Sequence, residues 1–348
     1  MRKACILGCG GPVLTDEERA FFAAERPWGF ILFRRNVETP DQVRALVQAL
    51  RETVDDPGAP VLIDQEGGRV QRLGPPHWPR YPTGRAYGEL SANDPTTAQA
   101  LARLGGRLMA ADLARVGINV DCVPVLDVPQ PSAHDVIGDR AYGATVESVS
   151  RLGRAMAEGM LAGGVLPVIK HIPGHGRALA DSHQALPVVD APLEALEAVD
   201  FPPFEALSDM PMAMTAHVVY RALDPRRPAT TSRDVIRSIR DRLGFSGLIM
   251  TDDLSMKALK GDMAGRARAS LRAGCDVVLH CNGKMDEMRS VVAGTRRLAG
   301  PALRRAEAAM ARIVRRPEPL DEAAARERFA ETFPAQGQLG QDPTGRAA

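Results

Sequence analysis

The sequence predicts an α/β protein built as a single-domain (β/α)8 TIM-type barrel. Three observations carry that expectation. Eight short, near-continuously apolar runs recur along the chain, helix-like segments separate them, and 348 residues are enough for one large barrel. Runs that are apolar at every position suit parallel strands buried on both faces, whereas half-exposed antiparallel strands alternate. Strands alternating with helices over about 300 residues point to successive βαβ units. A doubly wound open sheet shows the same alternation, so element order alone leaves closure of the barrel open.

The expected strands are residues 4–7, 29–33, 60–64, 118–125, 166–171, 212–217, 248–252 and 277–280. The first helical pattern, 40–52, starts at Pro40-Asp41 and puts Val43, Leu46, Val47 and Leu50 on one face. A longer one starts at Asp94-Pro95, carries Leu101, Leu104, Leu108 and Leu113, and has Gly117 as a C-cap. Segments 148–161, 232–243, 265–273 and 285–298 follow the same periodicity. No repeat or linker divides the chain, so residues 1–335 are read as one barrel domain. The tail, 336–348, is rich in Gly, Gln and Pro, lacks apolar periodicity and is expected to be disordered.

Composition narrows the function. Lys and Arg number 44 against 43 Asp and Glu, a formal charge of +1, which argues against a nucleic-acid binder. No run approaches the roughly 18 apolar residues of a membrane span. Few apolar residues precede Cys9, whereas an export signal needs an apolar region of roughly 7–15. The expected location is therefore the cytoplasm, and the expected state a monomer. Cys5, Cys9, Cys122, Cys275 and Cys281 lie in or beside apolar stretches without a C-x-x-C pair, as reduced core cysteines do.

Recurrent motifs are mostly absent. Gly8-Cys9-Gly10-Gly11-Pro12-Val13 begins like a dinucleotide fingerprint, but Val13 stands where the third glycine belongs. No phosphate-loop, zinc-protease or nucleophile-elbow motif occurs. What remains is charge at the C-terminal ends of the expected strands, the face on which barrel active sites lie. The third strand ends in Asp64 and runs into Gln65-Glu66-Gly67-Gly68-Arg69-Val70-Gln71-Arg72. The fifth ends in Lys170-His171, the sixth in Met214-Thr215-Ala216-His217 and the seventh in Thr251-Asp252-Asp253. One charged strand end is ordinarily a structural ion pair. Several on one rim make a site.

Segment 170–183 holds three of the seven histidines, His171, His175 and His183, together with Asp181. Gly174 and Gly176 suggest a mobile loop over the barrel mouth. Asp181-Ser182-His183 puts a carboxylate within reach of an imidazole, which would fix its tautomer and raise its basicity. A divalent-metal site from His171, His175, Asp181 and His183 is the rival reading, and the Lys170 ammonium argues against it. Satisfied loop histidines are the bland one. Alternation puts Leu248, Met250 and Asp252 on one strand face and Ile249, Thr251 and Asp253 on the other, without saying which faces the mouth.

Four motifs in order, Asp64-Gln65-Glu66-Gly67-Gly68-Arg69-Val70, Lys170-His171-Ile172-Pro173-Gly174-His175-Gly176, Asp181-Ser182-His183 and Thr251-Asp252-Asp253-Leu254-Ser255-Met256, resemble those of the family 3 glycoside hydrolases. The likeness is greatest to the single-domain bacterial β-N-acetylglucosaminidases of cell-wall recycling and spans residues 7–298. It implies Asp252 as catalytic nucleophile, His183 as general acid/base and Asp181 as its partner. It also implies Asp64, Arg72, Arg140, Lys170 and His171 as sugar-binding residues, with no metal or cofactor. Ile172 replaces an aromatic residue common in relatives, and all catalytic residues are expected to come from the barrel, without the second domain of larger members. The implied activity is a retaining exo-β-N-acetylglucosaminidase acting on muropeptide fragments. A phosphorylase using the same dyad, and a non-catalytic sugar sensor, are the alternatives.

Overall fold

The computed structural model describes residues 2–131, 134–178, 182, 185–314 and 316–334. All eight expected strands form: β1 Lys3–Gly8, β2 Pro27–Leu32, β3 Val61–Ile63, β4 Val120–Asp121, β5 Leu166–Ile172, β6 Met212–Thr215, β7 Leu248–Asp253 and β8 Val277–His280. Each pairs in parallel with its sequence neighbours, and β1 pairs with β8 (Cys5 opposite Val278), so the sheet is a closed barrel. This settles closure against the open sheet. The strands are short, and almost every residue in them is buried, as their apolar runs require.

Helices cover the outside. Thr39 caps the helix Pro40–Thr53, and Asp94 caps Pro95–Arg115, each by accepting from a backbone N–H in the first turn. Gly117 follows the second with φ of 83°. The expected helix 285–298 stops early, at Met285–Gly294. There a Cβ on Gly294 would overlap the Ala264 carbonyl of the neighbouring helix, and Leu298 instead donates its N–H to the Arg2 carbonyl. Met263–Ala273 packs between Met285–Gly294 and the turn Ala229–Thr231.

Two small sheets lie outside the barrel and were not expected. Gln65–Gly67 and Val70–Gln71 form a hairpin just after β3, turning at Gly67 and Gly68 with φ of 94° and 57°. Val188–Val189 and Val219–Tyr220 pair in parallel. All five cysteines are buried and unbridged, and no described helix is long and apolar enough to cross a membrane. Residues 335–348 lie outside the described residues.

Candidate active site

The hairpin after β3 and the end of β5 together bring an ion-pair lattice to the barrel mouth. Lys170, on β5 and 2% exposed, reaches Asp64 Oδ1 at 3.0 Å and Glu66 Oε1 at 2.6 Å. Arg72, from the far strand of the hairpin, donates to Asp64 Oδ2 at 3.2 Å and lies over the Phe33 ring. Arg140 meets Glu66 in a two-pronged pair, both contacts 2.8 Å. Burial alone would raise both carboxyls, but the cations outweigh it: Asp64 is held well below the usual carboxylate range and Glu66 falls to about 2. Burial likewise opposes the Lys170 charge, and Asp64 and Glu66 reverse that, so Lys170 stays an ammonium.

A second array sits beside the first. Asp127, just beyond β4, accepts from the backbone N–H of His171 (3.2 Å) and His175 (2.6 Å), and its Oδ2 lies 2.7 Å from His171 Nδ1. Asp127 is fully buried, yet His171 holds its carboxyl down against that burial. His175 is pushed down to about 4 by burial and by His171, which keeps its ring neutral at pH 7. The stretch 173–178 is thus fastened: Tyr220 donates to the Gly174 carbonyl at 2.6 Å, and Arg177 pairs with Asp200 at 2.6 Å. The expected mobile loop does not begin at 170. Lys170 and His171 belong to β5, and the chain remains anchored as far as Ala178, whose carbonyl accepts from the N–H of His134.

The strand β7 resolves its own parity. Leu248 and Met250 join the apolar cluster of Met212 and Met214, while Ile249 joins that of Val235 and Ile239 on the covering helix Arg233–Asp241. Asp252 continues the inward face. It lines a narrow cleft, about 460 Å³ including its open mouth, with Asp64, Glu66, Arg140, Lys170 and His171, over a floor that includes Ile31, Phe33, Met214 and Leu279. Asp253 is withdrawn from it and 1% exposed, accepting from the N–H of Cys281 (3.1 Å) and of Ser255 (3.2 Å). A register shift between Met250 and Asp253 marks the place where the strand re-aims these side chains.

Of the eight residues singled out from sequence, Asp64, Lys170, Arg140, His171 and Asp252 share one cleft, and Arg72 supports it from behind. Asp181 and His183 lie outside the described residues. Between them Ser182 is buried, with its Oγ 3.2 Å from His175 Nε2 and its carbonyl accepting from Ala258 N–H at 3.3 Å. Among the described residues no group of three or more His, Cys, Asp and Glu side chains is arranged to hold a metal ion. The sequence reading missed two members. Glu66 stood in a quoted motif but was given no role, and Asp127 lies two residues past the end of the expected fourth strand, where a carboxylate is a usable signal.

The N-terminal domain model of glycosyl hydrolase family 3 matches residues 13–315. The chain belongs to glycoside hydrolase family 3. This family 3 enzyme is 41% identical over 304 residues to a beta-hexosaminidase of Methylococcus capsulatus, covering 86% of this chain and 89% of the relative. It is also 41% identical to a beta-hexosaminidase of Alkalilimnicola ehrlichii, over 80% of each chain. Among solved structures it resembles NagZ from Neisseria gonorrhoeae in complex with N-trifluoroacetyl-D-glucosamine, with a TM-score of 0.82, 32% identity and coverage of 95% and 96%. A family 3 β-N-acetylglucosaminidase from Paenibacillus superposes with a TM-score of 0.84 at 29% identity, covering 94% of this chain and 67% of that one.

Proposed function

We propose that this β-hexosaminidase is a retaining, exo-acting β-N-acetylglucosaminidase that releases terminal N-acetylglucosamine from β-1,4-linked muropeptide fragments during cell-wall recycling in the cytoplasm. The observation that carries the reading is the gathering of Asp252 with the lattice of Asp64, Glu66, Lys170 and Arg140 in one cleft, with Asp253 withdrawn from it. Retaining hydrolysis needs a carboxylate to attack the anomeric carbon and an acid to protonate the departing oxygen. Asp252 is assigned the first task. His183, oriented by Asp181, is assigned the second, and on the return step it activates water.

The lattice suits a sugar. Asp64, Lys170, Arg140 and His171 offer fixed donors and acceptors to ring hydroxyls, and their charges are already compensated, so a neutral ligand strands none of them. The bound N-trifluoroacetyl-D-glucosamine of the Neisseria structure supports the choice of sugar. The cation pairing also keeps both carboxylates ionised and leaves them no proton to donate, which supports a different residue as the acid.

The test is release of 4-nitrophenol from its N-acetyl-β-D-glucosaminide, with and without EDTA and phosphate. EDTA-insensitive release giving free N-acetylglucosamine, abolished by Asp252→Ala, is expected. Sugar 1-phosphate as product would make the enzyme a phosphorylase. Appreciable turnover by Asp252→Ala would refute the nucleophile, as equal losses by His183→Gln on activated and poor leaving groups would refute the acid.

A further inference from the structure

A second groove opens on the rim between the loops that follow β6 and β7. It starts at Leu186 and at Ala258, Leu259 and Lys260, and runs along Met263–Ala273 from Gly265 to Arg272. Its volume is about 1190 Å³ including the open mouth. Six cations line it, Arg226, Arg227, Arg233, Lys260, Arg266 and Arg272, and among the described residues no carboxylate does. In a chain of formal charge +1 this is a local concentration, not a general excess. Two other outer grooves mix signs: one sets Arg44 and Arg51 among Glu52, Asp55 and Asp56, another sets Arg85 beside Glu89 and Asp135.

Three described carboxylates lie next to it in sequence without lining it. Asp224 accepts from Ser232 and from the backbone amides of Arg226 and Arg227, Asp262 caps the helix at Gly265, and Asp234 reaches Arg237. Arg266 itself donates to the carbonyls of Gly261, Leu254 and Met256. Arg226, Arg227, Arg233, Lys260 and Arg272 are exposed and form no ion pair with a described residue.

One wall of the groove is bonded to Ser182. The N–H of Ala258 donates to the carbonyl of Ser182, the residue that immediately precedes His183. On the assignment of His183 as general acid, which acts on the oxygen that departs with the leaving group, a groove beside Ser182 is on the leaving-group side. From Gly265 to Arg272 the helix rises about 10 Å, enough for about three extended residues. We propose that this groove binds a carboxylate-bearing extension of the leaving group, an acidic peptide of about three or four residues. The proposal rests on the reading of the cleft as a muropeptide glycosidase. Guanidinium forks paired with carboxylates at an open rim give orientation and on-rate, and salt screens them.

The test compares three substrates: the neutral 4-nitrophenyl glycoside, a disaccharide fragment carrying a tetrapeptide with free carboxylates, and the same fragment with its carboxylates amidated. In Arg226→Ala/Arg227→Ala, kcat/KM for the free-acid fragment is expected to fall about ten-fold relative to the amidated one, mostly through KM. Arg226→Glu/Arg227→Glu should lose more and Arg226→Lys/Arg227→Lys should recover much of it. In the wild type, preference for the free acid should fade as salt rises. Equal effects on the two fragments, or a preference indifferent to salt, would overturn the proposal. Failure of the wild type on every glycoside would sink the functional reading instead. Titration calorimetry of the free acidic tetrapeptide then still decides the groove, because equal binding by the wild type and the Glu variant overturns it.

Discussion

Replacing Glu66 with glutamine keeps the shape of the lattice and removes its most deeply buried negative charge. Arg140 then retains the Val136 carbonyl, 3.3 Å away, but no carboxylate partner at Glu66, while Lys170 keeps Asp64. Stripping one member from a buried ion pair costs about 3–5 kcal/mol, because the other charge is left uncompensated. The lowering of the Glu66 carboxyl from 4.5 to about 2 is of the same order, about 3 kcal/mol. With a urea m-value of about 3 kcal/mol/M, the unfolding midpoint at pH 7 should drop by about 1 M. A carboxyl depressed on folding contributes stability that is complete above its unfolded pKa and is lost as pH falls from 4.5 towards 2, so the variant should show a flatter acid limb in that window. The Glu66→Gln/Arg140→Gln double variant should be less destabilised than the sum of the singles. A midpoint shift under 0.3 M, or strictly additive singles, would refute the account of the lattice.

Three other outcomes follow from the geometry. Asp253→Asn should cost about 1–3 kcal/mol by thermal or urea unfolding, since it weakens the acceptor for Cys281 and Ser255, yet keep most of kcat/KM; Asp252→Asn should show the reverse, and a catalytic loss confined to Asp253→Asn would exchange the two assignments. Asp127→Asn should lower kcat/KM about thirty-fold, equivalent to about 2 kcal/mol for a lost charged hydrogen bond to His171, and wild-type kinetics would exclude a positioning role. His175 stays neutral when folded, so stability should be full above its unfolded pKa near 6.5 and fall as pH drops from there to about 4. His175→Gln should abolish that slope in urea midpoints taken between pH 7 and 4.5, and an unchanged slope would assign it to another group.

The barrel was legible because its signal is local. A strand buried on both faces must be apolar at each position, and 277–280 was located to the residue on that basis. The short fourth strand was overextended, since 122–125 stay buried and apolar after regular pairing has ended. The site was legible as residues but not as pairs. Lys170 lies 106 positions from Asp64, and Arg140 lies 74 from Glu66, so no spacing rule joins them. Parity failed for the same reason: Asp252 and Asp253 differ by which side of β7 the covering helix occupies, a tertiary fact.

The crossing of two loops constrains how this enzyme can be recombined. Gly176 passes so close to the chain after β4 that a Cβ on it would overlap the Val128 carbonyl, and its own carbonyl takes the N–H of Gln130 at 3.0 Å. Asp127, on that same chain, holds the backbone of His171 and His175. The segments 123–131 and 171–178 are therefore a single heritable module despite the 39 residues between them. A chimera that imports one from a relative and leaves the other native inherits two halves of a lock cut for different keys.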